Sequence, residues 1–416
     1  MAQVLRHIWQ RSDWPSFRFD GPQVAHDLTQ ARREQGILLG QARALGIAEI
    51  DHVINDLWVE DAIATAAIEG EKLQVDSVRS SVMRRLGLKN EGRVERHIEG
   101  LVERMHDATS HFAVRLDADR LCRWQSALFP GGTSGIQRIE VGKFRTSPEP
   151  MQIVGGPTGK EVVYYTAPTA SRVPAEMRRF LKWFEDTRPR TNRTDQTDGI
   201  VRSAIAHLWF ETVHPFGDGN GRIGRAIIDR ALAQDTGGSA RVYSVSLQLM
   251  RERKAYYAAL GAAQHGGMDI TDWVQWFVLQ FAQSCRHSQG VIDSALAKSR
   301  FWSSRTDWAL TDRQRKVVQR LLDAGPDGFS GGMSAEKYSN LTKVSKATAT
   351  RDLADLLLNG WVFATGQGKG TRYWLNVAEW RDKKKPRRTI PDEDTVKNKA
   401  VYLGIDASRR RDVPGL

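Results

Sequence analysis

Residues 214–225 read His-Pro-Phe-Gly-Asp-Gly-Asn-Gly-Arg-Ile-Gly-Arg, and this stretch decides how the chain around it is interpreted. Before it, apolar pairs recur every four residues from Ile200 to Val213, which predicts a helix buried on one side. Pro215 disfavours helix at the residue before it. After it, apolar residues at helical spacing predict a second helix that starts near Asn220 and stops at Gly237. A short polar loop between two buried helices is therefore expected.

The start of the second helix has the composition of an anion site. Gly219 and Gly221 remove side chains there, so free backbone N–H groups and the helix dipole face one concave surface. Arg222 and Arg225 lie three residues apart and reach the same side of the first turns. The planar fork of arginine grips phosphate oxygens at two points, so a polyphosphate is the expected ligand.

Two further residues of the loop carry chemistry. The carboxylate of Asp218 would repel a phosphate bound beside it unless a cation lay between the two. A magnesium ion that bridges two phosphates supplies this cation. His214 is the group in the loop that can take a proton near neutral pH. Phe216 is expected to point inward and anchor the loop. The loop thus predicts a base, a metal ligand and a phosphate cradle on rigid supports.

These residue types match the signature of the Fic family, His-x-Phe-x-Asp-Gly-Asn-Gly-Arg-x-x-Arg, at every defined position, and the resemblance covers about residues 120–290. It implies a helical core in which His214 deprotonates a Ser, Thr or Tyr hydroxyl of a target protein. The hydroxyl would attack the α-phosphate of ATP, with pyrophosphate leaving and Asp218 holding Mg²⁺. The resemblance assigns nucleotide binding to Gly219, Asn220, Gly221, Arg222, Gly224 and Arg225.

The resemblance also bears on which group is transferred. A phosphotransferase branch of the family has lysine where this chain has Gly221, so AMP transfer is favoured here. Tyr256 and Tyr257 would line the adenine pocket, although a tyrosine pair that only packs the core is the alternative. Transfer of another nucleotide and removal of AMP stay open.

A glycine-rich β-hairpin is predicted upstream of the motif. Residues 151–154 and 161–165 are β-prone runs around the turn-forming segment 155–160. The resemblance identifies this hairpin as a flap, whose exposed edge can add a strand from a target peptide. Val154, Gly155 and Gly156 are expected to touch the nucleotide.

A second short motif precedes the catalytic one. Thr65 and Glu69 share a helix face within a predicted helix over 51–69, and Gly70 can end that helix. The pattern resembles the family's inhibitory motif, Ser/Thr-x-x-x-Glu-Gly/Asn, which implies that Glu69 pairs with Arg225 and excludes productive ATP. The alternative is a glutamate on a solvated helix face.

The segment 303–380 predicts a winged helix-turn-helix. Helices are expected over 311–323, from Ser334 and over 345–359, followed by a hairpin with strands at 361–364 and 371–375. Lys346, Thr348 and Arg351 would begin a recognition helix, with Lys369 and Arg372 in or beside the wing. DNA binding through 303–380 is one interpretation. Protein docking or dimerisation is the other, because Asp352 and Asp355 dilute the basic face.

The predicted fold class is mainly α, a helical core with a small hairpin flap plus the winged helix. The predicted divisions are 1–115 (N-terminal helical extension), 116–300 (catalytic core), 303–380 (winged helix) and 381–416 (a basic tail expected to be disordered). The formal charge of +12 favours an acidic partner. Two distant cysteines and the lack of an apolar stretch of spanning length predict a cytoplasmic protein without membrane insertion. Self-modification and homo-oligomers stay open.

Overall fold

The computed structural model describes residues 7–45, 47–88, 92, 94–134, 137–155, 162–190, 196–238, 242–304, 309–325, 329, 331–377 and 380. Over these residues the protein is mainly helical, with fourteen α-helices and three two-stranded antiparallel hairpins, as the sequence predicts. The chain divides into two compact units, Met1–Ile292 and Asp293–Leu416. The finer domain boundaries expected from the sequence stay predictions.

The helices follow one another along the chain, and the strands pair with their sequence neighbours. The helices are α1 (Gly21–Arg43), α2 (Ile47–Ile68), α3 (Val75–Arg85), α4 (Arg96–Ser110), α5 (Ala118–Leu128), α6 (Val173–Asp186), α7 (Gly199–Val213), α8 (Asn220–Asp235), α9 (Val245–Arg251), α10 (Arg253–His265), α11 (Thr271–Ser303), α12 (Asp312–Asp323), α13 (Ala335–Thr342) and α14 (Lys346–Leu358). The strands are β1 (Thr133–Ser134), β2 (Gln137–Arg138), β3 (Gln152–Gly155), β4 (Val162–Thr166), β5 (Val362–Thr365) and β6 (Arg372–Leu375).

Helix α7 lies at the centre of the first unit. The expectation that it is buried on one side is wrong, because every one of its residues is buried. Helices α6, α8 and α10 pack around it. Two of its polar side chains have partners inside: Arg202 donates to the carbonyl of Phe184, and His207 is 2.9 Å from the hydroxyl of Tyr256. The predicted helices on both sides of the loop are otherwise confirmed.

The predicted flap is present as the hairpin β3–β4, displaced by one residue from the expected strands. Gln152 pairs with Thr166 and Gly155 with Val162, with an irregularity in register between Ile153 and Val154. The glycine-rich tip, 156–161, lies outside the described residues, and so does the Gly156 contact expected there. The hairpin β1–β2 was not predicted, since two-residue strands leave no periodic signal.

The second unit contains the three predicted helices followed by the predicted hairpin. Thr311 caps α12 through a capping box with Gln314, and Ser334 and Ser345 cap α13 and α14. Strands β5 and β6 pair antiparallel. Buried apolar side chains from all of these elements form one core. The basic tail predicted for 381–416 lies outside the described residues.

A search of the described residues finds no helix long and apolar enough to cross a membrane.

The core of the second unit is expected to depend strongly on Leu353, which is fully buried in α14. Replacing Leu353 by Ala leaves a cavity and should lower the free energy of unfolding of this unit by about 2–5 kcal/mol. Lys346→Ala, at an exposed position of the same helix, is the matched control and should change it by less than about 0.5 kcal/mol. Hydrogen exchange of 312–375 under denaturant measures both values. Equal effects of the two substitutions would contradict this packing.

Candidate active site

His214 lies where α7 ends, in a backbone conformation that few residues adopt. Its φ of 50° and ψ of 63° are left-handed, and its N–H still donates to the carbonyl of Phe210 at 2.9 Å. The side chain is 12% exposed. Burial, assisted by the charge of Arg145, lowers the pKa of His214 to about 4. The imidazole is therefore neutral near pH 7, which is the state that a general base requires.

Arg145 fixes the strained turn. Its Nε donates to the carbonyl of His214 at 2.8 Å, and its guanidinium also donates to the carbonyl of Pro168. Its backbone N–H donates to the carbonyl of Pro215 at 2.9 Å. The sequence prediction missed this residue, and no motif or spacing in the chain points to it.

Glu211 is a second residue that the prediction missed. Its Oε2 is 3.7 Å from Nδ1 of His214, and its side chain is 5% exposed. Burial and the nearby charge of Glu69 raise the pKa of Glu211 to about 8, against the charge of Arg225. A signal existed in the sequence, because residues three apart at the end of a helix lie on the same face.

The loop after His214 is held by its own side chains. Asn220 accepts from the N–H of Phe216 at 2.9 Å and donates to its carbonyl at 2.8 Å. Gly219 has a φ of 87°, and a methyl group there would lie 3.0 Å from the ring of Phe129 and 3.2 Å from Leu128. A side chain at Gly219 would therefore be strained in backbone conformation and crowded by these two residues. The Asn220 side chain shapes the loop, which leaves backbone N–H groups of the first turn of α8 for an anion.

Asp218 lies at the rim of the loop, with a side chain 38% exposed. Its carboxylate accepts from the hydroxyl of Ser134 and, at 2.5 Å, from the N–H of Gly219, and it is 3.8 Å from Arg222. An accessible carboxylate is the type of ligand that Mg²⁺ prefers. Among the described residues no group of three or more His, Cys, Asp or Glu side chains is placed to hold a metal. Asp218 therefore suits an ion that keeps most of its ligands from a nucleotide and water.

Arg225 is the central cation of the site and is only 2% exposed. Its guanidinium donates to the hydroxyl of Thr65 at 2.7 Å, to the carbonyl of Thr65 at 2.8 Å and to Oε1 of Glu69 at 2.8 Å. The ion pair implied by the resemblance is thus present. Burial works to raise the pKa of Glu69, but the charge of Arg225 and its hydrogen bond lower it overall.

The carboxylate of Glu69 also lies directly against Gly221. A methyl group on Gly221 would be 2.2 Å from Oε1 of Glu69, so a residue with a side chain at 221 would have to displace that carboxylate. An anion belonging to the protein therefore occupies the start of α8, at the position where the sequence predicts phosphate.

Arg222 has its own carboxylate partner from the same end of α2. Its Nη1 is 3.1 Å from Oε2 of Glu71, and its guanidinium lies 4.9 Å from the ring centroid of Phe129. The other oxygen of Glu71 is 3.6 Å from His97. Glu71 was missed because the motif that singled out Glu69 ends one residue earlier.

The two predicted adenine-pocket tyrosines lie in different environments. Tyr256 is 2% exposed and bonded to His207, which places it in the core. Tyr257 is 43% exposed, and its hydroxyl donates to the carbonyl of Ile68 at 3.3 Å. Ile68 directly precedes Glu69, whose carboxylate lies against Gly221. Backbone atoms of Val154 and Gly155 belong to β3. Gly224 packs against Glu211 and His207 rather than facing the anion site.

Comparisons with known proteins match two segments of the chain. Residues 115–232 match the model of the Fic/DOC family, and residues 7–88 match that of a domain of unknown function, DUF4172. A probable protein adenylyltransferase of Aquifex aeolicus (strain VF5) is 30% identical over 109 residues, which is 26% of this chain. The match spans only 29% of the length of that relative.

Solved structures are similar over a larger share of the chain. A Fic family protein of Desulfovibrio desulfuricans G20 is 21% identical, with a TM-score of 0.46 over 87% of this chain and 97% of the other. Fic-1 of C. elegans is 21% identical, with a TM-score of 0.46 over 66% of this chain and 75% of the other. The family match therefore covers residues 115–232, the segment that contains the loop 214–225.

Proposed function

We propose that this protein is a protein adenylyltransferase, which moves AMP from ATP to a Ser, Thr or Tyr hydroxyl of a target protein or of itself. The observation that carries the proposal is the carboxylate of Glu69, 2.8 Å from Arg225 and against Gly221. A site that already accommodates one anion beside a buried arginine has the charge and shape for a phosphate group. The neutral His214 lies in the same loop.

The proposed reaction uses His214 as general base. Nε2 of the imidazole takes the proton of the target hydroxyl, and the hydroxyl oxygen attacks the α-phosphorus of ATP. The bond from the α-phosphorus to the bridging oxygen breaks, and pyrophosphate leaves. Backbone N–H groups at Gly219 to Arg222 hold the α- and β-phosphates, while Arg225 takes the γ-phosphate once Glu69 withdraws. Magnesium held by Asp218, when bound, neutralises charge on the phosphates.

The hairpin β3–β4 is proposed to position the target. Val163 and Tyr164 on β4 are 47% and 59% exposed. An exposed strand with such side chains suits the addition of an extended peptide, whose backbone pairs with the strand. This mode aligns a hydroxyl without reading much of the target sequence.

The resting protein is proposed to be inhibited by Glu69. As long as its carboxylate holds Arg225, the γ-phosphate of ATP has no cationic partner at this position. A hydrogen bond to a charged group contributes roughly 1.5–3 kcal/mol, which corresponds to a bias of about 10- to 100-fold against productive ATP.

Removing the inhibitory carboxylate should activate the protein. Glu69→Gly is expected to raise transfer of label from α-³²P-ATP to protein by about 10- to 100-fold. His214→Ala in the same background should abolish transfer, because the base is lost. Parallel reactions with γ-³²P-ATP are the control, since AMP transfer leaves no γ-label on protein. Label from the γ position alone, or transfer by the double variant at the rate of Glu69→Gly, would overturn the proposal.

The Glu71–Arg222 pair should act as a weaker second restraint on ATP. Arg222 is 11% and Glu71 34% exposed, and solvent at the carboxylate limits the contribution of the pair to about 1 kcal/mol. Glu71→Gln is therefore expected to tighten ATP·Mg²⁺ binding by about two- to fivefold, as measured by isothermal titration calorimetry. Glu34→Gln is the matched control, because it neutralises a carboxylate on α1 that pairs with Arg286. An unchanged dissociation constant for Glu71→Gln would exclude this restraint.

DNA binding by the second unit is a further candidate function. Lys346 and Arg351 are exposed at the start of α14. Asp352, which would weaken such a basic face, instead points inward: it is 8% exposed, accepts from the hydroxyl of Tyr338 at 2.8 Å and pairs with Arg313 at 3.1 Å. The exposed start of α14 is therefore more basic than its sequence suggests, which favours phosphate contacts.

Binding of the full chain to duplex DNA is expected to depend on salt and on α14. The double variant Lys346→Ala, Arg351→Ala should weaken binding and reduce the slope of log K against log salt by about two. Lys316→Ala, an exposed basic residue on α12, is the matched control. Fluorescence anisotropy with labelled duplexes measures the slope. Absence of binding at low salt would remove this candidate and leave the protein-docking interpretation.

A further inference from the structure

The last turn of α7 places a buried acid behind the proposed base. Oε2 of Glu211 is 3.7 Å from Nδ1 of His214, and the two side chains are 5% and 12% exposed. Oε1 of Glu211 has no hydrogen-bond partner, and Nδ1 of His214 makes no hydrogen bond of ordinary geometry, although the backbone carbonyl of Glu211 also acts on the imidazole. Buried polar atoms are usually satisfied, so this pair holds bonding capacity that the resting arrangement does not use.

The position of Glu211 is fixed from the opposite side by α8. A methyl group on Gly224 would lie 2.2 Å from Oε1 of Glu211 and 3.0 Å from Nδ1 of His207. The bare backbone of Gly224 thus makes room for the carboxyl group, and His207 is itself held by Tyr256 at 2.9 Å. Glu211 is therefore confined beside the imidazole.

The other charges around the pair do not replace Glu211. Within the described part of the chain, Glu211 is the acid at ion-pair distance from His214. Asp218 is directed to Ser134, Gly219 and Arg222. Arg145 and Glu69 also act on His214. The charged or titratable groups near Glu211 are Glu69, Arg225, His207, Tyr165 and Tyr256.

We propose that Glu211 is a positioning residue for His214, an inference that rests on the proposed adenylyl transfer. Its carboxylate holds the N–H at Nδ1, which leaves the lone pair of Nε2 for the target hydroxyl. When Nε2 takes the hydroxyl proton and the oxygen bonds to the α-phosphorus, the imidazole becomes a cation and pyrophosphate departs. The carboxylate then balances the imidazolium charge, as a carboxylate does in other His-based sites.

The same geometry couples Glu211 to the inhibitory residue. Burial and the charge of Glu69 raise the pKa of Glu211 to about 8, so its carboxyl group is neutral near pH 7 while Glu69 is seated. A neutral carboxyl cannot hold Nδ1–H as a charged acceptor does. Withdrawal of Glu69 removes one of the anions that raise this pKa, which favours the ionised, positioning form of Glu211. Glu69 would then restrain both the nucleotide and the base.

The contact can be tested without any transfer reaction, by ¹⁵N NMR of histidine-labelled full-length protein. In wild type, the ring ¹⁵N shifts of His214 should change with a midpoint near pH 8, the pKa of Glu211, without the shifts that mark an imidazolium. Glu211→Gln should abolish that change. Glu176→Gln, which neutralises another buried acid bonded to Trp14 and Arg172, is the matched control and should retain it. In Glu69→Gly the midpoint should move to lower pH.

Kinetics test the catalytic part of the inference. In the Glu69→Gly background, Glu211→Gln should lower kcat for α-label transfer by about 10- to 100-fold with an unchanged KM for ATP, and Glu211→Asp should restore part of the loss. The positioning role would be overturned if the ring ¹⁵N shifts of His214 did not change between pH 7 and 9, or if they changed equally in wild type and in Glu211→Gln. A retained titration with no transfer by any variant would support the contact and overturn the adenylyl transfer instead.

Discussion

The buried guanidinium of Arg225 is the constraint on which the site depends. A cation that is 2% exposed cannot remain in the core without partners, because the loss of hydration costs several kcal/mol. Among the described residues, its side-chain hydrogen bonds go to the last turn of α2 and the residue after it: the hydroxyl and carbonyl of Thr65 and the carboxylate of Glu69. The end of α2 is therefore tied to the first turns of α8, where the anion site lies.

In the proposed function, inhibition by Glu69 and binding of ATP compete for this one place. The carboxylate and a phosphate group are both anions with oxygens that accept from a planar arginine fork. The Glu69 carboxylate fills the space beside Gly221, since a Cβ atom on Gly221 would lie 2.2 Å from its Oε1. A phosphate group at this place would therefore have to replace the carboxylate. Glu69 is one-third exposed, unlike Arg225, so the anion is the member of the pair that can leave for water.

Local sequence signals predicted much of the fold, and non-local contacts explain what they missed. The helices around residues 214–219, the caps at Thr311, Ser334 and Ser345, and the hairpin of the flap all follow from patterns within a few residues. Arg145 binds a carbonyl 69 residues away, and Glu71 binds Arg222 from 151 residues away. No pattern along the chain records such pairs. The full burial of α7 was likewise unpredictable, since it depends on where α6, α8 and α10 pack.

The polar residues inside α7 show how a buried helix can carry chemistry. Burial lowers the pKa of His207 to about 3 and of His214 to about 4, while burial and Glu69 raise that of Glu211 to about 8. All three groups are therefore mostly uncharged near pH 7, and none bears the large cost of a buried, unpaired charge. These three groups remain uncharged as long as the charges around them do not change. If another anion replaced the Glu69 carboxylate at a different position, the electrostatic field would change at both Glu211 and His214. In the proposed mechanism, Glu69 can therefore influence the charge state of both Glu211 and His214, because its carboxylate acts electrostatically on each of them.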